Sequence, residues 1–115
     1  MVNKMDKPKI VCLCGSTRFK DDFTKAQLDE TLAGKIVVTI GCSLRDDNDI
    51  FGHLNESDLR LVKARLDILH LAKIDLADEV FILNVNGYIG ESTEREICYA
   101  EMRGKQIKYL ENNDN

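Results

Sequence analysis

Three stretches of the chain carry side chains whose types and spacing suit chemistry. The first is Gly87-Tyr88-Ile89-Gly90-Glu91-Ser92-Thr93-Glu94-Arg95-Glu96. Two glycines three apart permit a tight turn that brings backbone close to a ligand. Glu96 then falls in the first turns of a helix, with Ser92, Thr93 and Tyr99 as helical neighbours, and is a candidate catalytic carboxylate. The same spacing, Thr93-x-x-Glu96, also reads as a capping box, in which the carboxylate only turns back on the backbone. The second stretch is Gly15-Ser16-Thr17-Arg18, set between a strand and a helix. It offers backbone N–H groups, two hydroxyls and a guanidinium at a helix N-terminus, where a phosphate is stabilised. Its plainer reading is that Ser16 or Thr17 caps the helix and Arg18 is solvated. The third stretch places Asp67, His70 and Lys73 at i, i+3 and i+6. Asp67 can pair with His70, and a histidine is a natural proton donor near neutral pH. A helix-surface histidine is the common alternative.

The elements that must position these residues follow from hydrophobic periodicity. Ile10–Cys14 is a short, almost wholly apolar run closed by Gly15, which predicts a buried strand. Phe19, Phe23 and Ala26, with Leu28 and Leu32, predict a helix from Phe19 to about Ala33, stopped by Gly34. Lys35–Ile40 is β-branched and predicts the second strand. Residues 41–55 form a long polar connection of the kind that serves as a lid or binding loop. Glu56 to about Ile74 predicts a long helix with Leu59, Val62, Leu66 and Leu69 on one face, widened by Leu61, Ile68 and Leu71. Glu79–Val85 predicts a third strand, Asn86–Gly90 a turn, Ser92–Arg103 a helix and Gln106–Leu110 a fourth strand. Residues 1–8 and 111–115 are polar and expected to be flexible.

The order β-α-β-α-β-α-β predicts an α/β chain: one three-layer, Rossmann/flavodoxin-like domain over residues 1–115 with a parallel sheet of four to five strands. Ligands of such sheets sit beyond the carboxyl ends of the strands, where the strand order switches. The three glycine-bearing connections after strands one, two and three emerge at that edge.

The 115 residues suffice for one core without disulfides. A net charge of -4 argues against a chain that grips a nucleic acid polymer by its backbone, though not against a small phosphate. Neither G-x-x-x-x-G-K-[ST] nor G-x-G-x-x-G occurs. Cys12 and Cys14 alternate within one strand and so share a face; they read as core thiols in preference to a zinc site. With no segment suited to a membrane span or a secretory leader, a reducing cytoplasm is the expected compartment.

The run C-L-C-G-S-T-R after strand one, Ala77-Asp78 before strand three, and G-x-x-x-x-x-E-I-C-Y-A in the last helix resemble the nucleoside 2-deoxyribosyltransferase superfamily. That superfamily includes the 2′-deoxynucleoside 5′-phosphate N-hydrolases. The likeness extends from Ile10 to about Leu110. It implies that Glu96 attacks C1′ of the sugar and displaces the base, that Gly15, Ser16 and Arg18 hold a 5′-phosphate with Thr17 beside them, and that neither metal nor other cofactor takes part. It also implies a homodimer or higher homo-oligomer, a role supported by the wide apolar stripe over residues 59–74. Cys12 stands where the family has a tyrosine, His70 where it has a helix aspartate, and Gly90 where it has a polar or acidic residue. His70, Glu91 or Ser92 would then orient the sugar or activate the leaving group, with Gly87 and Gly90 shaping the loop. The expected partner is a nucleoside or nucleotide, and the alternative to an N-glycosidase is a non-catalytic nucleotide sensor on the same fold.

Overall fold

Four consecutive positions of Ile10–Cys14, Val11 to Cys14, are fully buried, so both faces of this strand, β1, are covered. Only an interior strand of a sheet with helices on both sides can meet that condition. The computed structural model describes residues 7–39 and 51–112. Among them α1 is Lys20–Leu32, β2 Ile36–Val38, α2 Glu56–Leu76, β3 Glu79–Ile82, α3 Glu91–Met102 and β4 Gln106–Tyr109, with a 3-10 turn over Val85–Gly87. The sheet order is β2-β1-β3-β4, and every pair is parallel. This is the α/β, Rossmann/flavodoxin-like arrangement expected, with four strands and three helices among the described residues.

The alternation of β1 assigns each of its faces to a different layer. Val11 and Leu13 point to α1 and pack with Phe23, Ala26 and Leu83. Cys12 and Cys14 point the other way and pack with Ile74, Ala77, Val80, Ile82 and Ala100, beneath α2 and α3. The two thiols therefore do share a face. Burying a side chain such as Leu13 or Ile74 contributes about 1.5–3 kcal/mol, which makes these two clusters the main source of cohesion.

Several boundaries differ from the sequence expectation. Strand β3 ends at Ile82, not Val85, because Asn86 and Gly87 both adopt left-handed backbone (φ 54° and 79°) and turn the chain away. Helix α3 begins at Glu91 behind an extended Gly90, one residue before Ser92. Helix α2 runs on to Leu76, its start capped by Asn55, whose side chain accepts from the Asp58 N–H at 2.8 Å. Leu59, Val62 and Leu66 are partly buried on its inner face as expected, but that face continues through His70 and Ile74 and not through Leu69, which like Leu61 and Ile68 is at least half exposed. Glu111 is not part of a loose tail. Its backbone pairs twice with the buried Asn84 side chain (2.8 and 2.9 Å), and its carboxylate accepts from the Asn86 N–H at 2.6 Å. Ile40, most of the 41–55 connection and residues 1–6 and 113–115 lie outside the described residues. Among those described, no helix is long and apolar enough to cross a membrane.

Candidate active site

The strand order reverses between β1 and β3, and a cavity of about 550 Å³ opens beside the carboxyl end of β1. Its volume lies within the roughly 300–1,000 Å³ usual for small-molecule sites. Gly15, Ser16 and Thr17 line it from the turn after β1, His70 and Lys73 from α2, and Tyr88, Gly90, Glu91, Ser92 and Glu96 from the β3–α3 connection and α3. Most residues singled out in the sequence thus meet in one place. A second groove of about 670 Å³ runs along α2 and α3 past Met102 and shares Glu96. The first cavity alone joins the turn after β1 to the helices, which is where α/β sheets bind ligands.

Gly15 is tightly packed: a Cβ there would stand 3.2 Å from both the Cβ and the carbonyl oxygen of Leu83. Ser16 and Thr17 do not cap α1, whose first residue follows Phe19 without any side-chain cap. Ser16 Oγ instead accepts from the Arg18 N–H at 3.3 Å and closes the turn. The Arg18 guanidinium does not line the cavity. It lies over the Tyr88 ring, 4.3 Å from its centroid, and donates to the Tyr88 hydroxyl at 3.3 Å. Gly87 also stays off the cavity wall and serves the turn.

Glu96 does not close a capping box. It is the sixth residue of α3, beyond the reach of the N-terminal cap, and Thr93 is buried inside the helix. The Glu96 side chain is only 14% exposed, against 89% for Glu91, whose carboxylate accepts from Arg95 at 3.3 Å. Burial raises the Glu96 pKa, while the facing His70 opposes that rise. Glu96 is therefore the enclosed carboxylate of the site and Glu91 an acid at its rim.

His70 Nε2 lies 3.7 Å from Glu96 Oε1, 3.2 Å from Cys14 Sγ and 3.8 Å from Cys12 Sγ. Asp67 is not its partner; that carboxylate is half exposed and stands 3.9 Å from Arg95 Nη2. Burial alone would favour neutral His70, yet contact with Cys12 and the charge of Glu96 raise its pKa. Hydrogen bonding from Cys14, opposed by burial and aided by His70, lowers the Cys12 pKa to about 5. The same contact and burial push Cys14 well above the ordinary thiol value. His70 Nδ1 is buried without a partner among the described residues.

Four residues at the site were given no functional role from the sequence. Cys12 and Cys14 read correctly as same-face thiols, but their contact with an imidazole required the rotation of α2. Lys73, three residues after His70, lines the cavity with its Nζ donating to the Thr39 carbonyl at 2.8 Å; the i, i+3 spacing was its only signal. Tyr88 lines the cavity beneath Arg18, edge-on to Phe19 at 5.9 Å. Asp78 belongs to the opposite edge, where it accepts from the Ile10 N–H at 2.8 Å and fastens the start of β1. Comparison of the chain with protein-family models, with curated proteins and with solved structures finds no match.

Proposed function

We propose that this chain acts on the N-glycosidic bond of a (2′-deoxy)nucleoside or its 5′-monophosphate, by hydrolysis or deoxyribosyl transfer, with Glu96 as nucleophile. The observation that carries the reading is the enclosure of the Glu96 carboxylate in the cavity that also contains the Gly15–Thr17 turn. A nucleophile for C1′ and a cradle for a 5′-phosphate are then available to one ligand.

In this reading a Glu96 oxygen attacks C1′, the C1′–N bond breaks, and its electron pair leaves with the base. Water or a second base then attacks C1′ and frees the carboxylate. His70, held beside Glu96, polarises the sugar hydroxyl or the departing base. The phosphate rests on the N–H groups and hydroxyls of Gly15, Ser16 and Thr17, with Arg18 at the rim over Tyr88. Lys73 adds positive charge to the same cavity, which favours an anionic ligand. Gly90, Glu91 and Ser92 form the wall facing the sugar. Leu61, Ile68 and Leu69 leave an apolar strip of α2 uncovered near the cavity, which suits assembly with a second copy.

The deciding experiment incubates the purified protein with deoxynucleosides, deoxynucleotides and ribonucleotides and measures free base. Release from at least one deoxynucleoside or deoxynucleotide is expected. Nucleotide binding without release from any substrate would instead leave a nucleotide sensor.

A further inference from the structure

Chemistry beyond that reading is available deeper in the site. Cys12 and Cys14 are fully buried on the face of β1 beneath α2, His70 comes down from α2, and Glu96 approaches from α3. We propose that these residues form a binding site for a thiophilic divalent cation such as zinc. Cys12 Sγ, Cys14 Sγ and His70 Nε2 are its ligands, and the fourth position opens to the cavity, where Glu96 faces His70.

The geometry supports this in two ways. The three ligand atoms all lie within 4.8 Å of one another, and Nε2 stands 3.2, 3.8 and 3.7 Å from Cys14 Sγ, Cys12 Sγ and Glu96 Oε1. Tetrahedral zinc, with bonds of about 2.3 Å to sulfur and about 2.0–2.1 Å to nitrogen, holds such donors about 3.3–3.8 Å apart. Adjustment of no more than about an ångström would bring these three ligands to tetrahedral spacing. In addition, three polar atoms crowd a single ring nitrogen, which has one proton or one lone pair to offer. A cation among them would be held by the imidazole and both thiolates at once.

Charge and surroundings agree. Two thiolates neutralise a dication, so the filled core carries no net charge before Glu96 is counted. Ile74, Ala77, Val80, Ile82 and Ala100 form an apolar shell that shields it from water. Because His70 and Glu96 also line the cavity, the cation has a route in. Binding expels to solvent the protons that the thiols and imidazole hold between them. Metal-bound imidazoles ordinarily donate from their second nitrogen, and His70 Nδ1 has no acceptor among the described residues. His70 is therefore the weakest of the three ligands.

This inference does not depend on the glycosidase reading: its ligands are the two thiols and His70, and Glu96 is not among them. The test uses the full chain in a Cys42→Ser/Cys98→Ser background, so that Cys12 and Cys14 are the remaining thiols. After reduction and chelation, Co²⁺ is titrated in and followed by absorbance, then displaced with Zn²⁺. One equivalent with a thiolate-to-cobalt charge-transfer band is expected. Loss of an outer hydrogen-bond partner weakens metal sites about 10–100-fold, so Cys12→Ser or Cys14→Ser should weaken binding by more than about 100-fold, and His70→Ala by less than either. Absence of the band in the Cys42→Ser/Cys98→Ser protein overturns the proposal, as does a band that survives both Cys12→Ser and Cys14→Ser. Base release measured on the chelated protein reports on the glycosidase reading separately.

Discussion

His70 Nε2 and Glu96 Oε1 stand 3.7 Å apart, although 26 positions and a strand separate the two residues in the chain. The pair is assembled by α2 and α3 converging over the carboxyl end of β1, and neither residue has a comparable role within its own helix.

Glu96→Gln separates catalysis from folding. Because Glu96 makes no cap, the amide should leave thermal stability nearly unchanged and preserve the nucleotide-induced rise in Tm. Base release should fall by on the order of 10⁴-fold or more, since an amide cannot form the glycosyl ester. Full turnover by this variant would move attention to Glu91.

Arg18→Ala tests the phosphate handle. Loss of a charge-assisted contact costs about 1.5–3 kcal/mol, which weakens nucleotide binding about ten- to a hundred-fold. The lost stacking on exposed Tyr88 should cost no more than about 1 kcal/mol in unfolding. Calorimetric titration of a nucleoside and its 5′-monophosphate checks this, and equal affinities for the two in the parent protein would refute it.

Gly15→Ala introduces a methyl group 3.2 Å from the Leu83 backbone and side chain. Overpacking of this size costs about 1–3 kcal/mol, read as a lower urea midpoint with an unchanged slope. Nucleotide affinity should fall as well, since the turn that moves is the one lining the cavity.

Glu30 ties the sheet together at a distance from the site. It accepts from Lys35 at 3.1 Å and Lys108 at 2.8 Å, while Lys35 also reaches Glu79 at 2.6 Å. Burial opposes ionisation of Glu30, but the two ammonium groups hold its pKa below the ordinary carboxylate value. Its stabilisation is therefore present above the unfolded-state pKa of about 4.3 and is lost as pH falls through the lower folded value. Glu30→Gln should destabilise by roughly 1–2 kcal/mol at pH 7, discounted because solvent reaches Lys108. The gap from the parent protein should shrink in urea melts at progressively more acidic pH.

The sheet was legible in the sequence because it rests on local patterns. An apolar run closed by glycine marked β1, a β-branched run marked β2, and the alternation within Ile10–Cys14 correctly put both thiols on one face. The meeting of Gly15–Thr17 and Gly90–Ser92 at one edge followed from strand order alone. What local patterns do not contain is the rotation of a helix about its own axis. Helix α2 carries apolar residues around much of its circumference, so periodicity assigned Leu69 to the core although it is half exposed, and left His70 as a surface candidate although it is buried. The same rotation decides that His70 meets the thiols and that Asp67 faces Arg95. The end of β3 was misplaced for another reason: Leu83 and Asn84 are as buried as the strand residues, and the break comes from left-handed Asn86 and Gly87.

The clasp between Asn84 and Glu111 has a consequence for handling the protein. The loop that presents Tyr88 and Gly90 to the cavity is held from behind by residue 111, at the exit of the last strand. A protease that trims the chain to Leu110 would remove the clamp while leaving every cavity-lining residue in place, and a tag joined directly after Leu110 would keep a backbone for Asn84 but lose the carboxylate that holds the Asn86 N–H. Such a trimmed chain is expected to lose stability at the unpartnered Asn84 and to bind ligand poorly, and its inactivity would be misread as evidence about the site itself. Fusions are better placed at the amino end, or spaced well beyond Glu111.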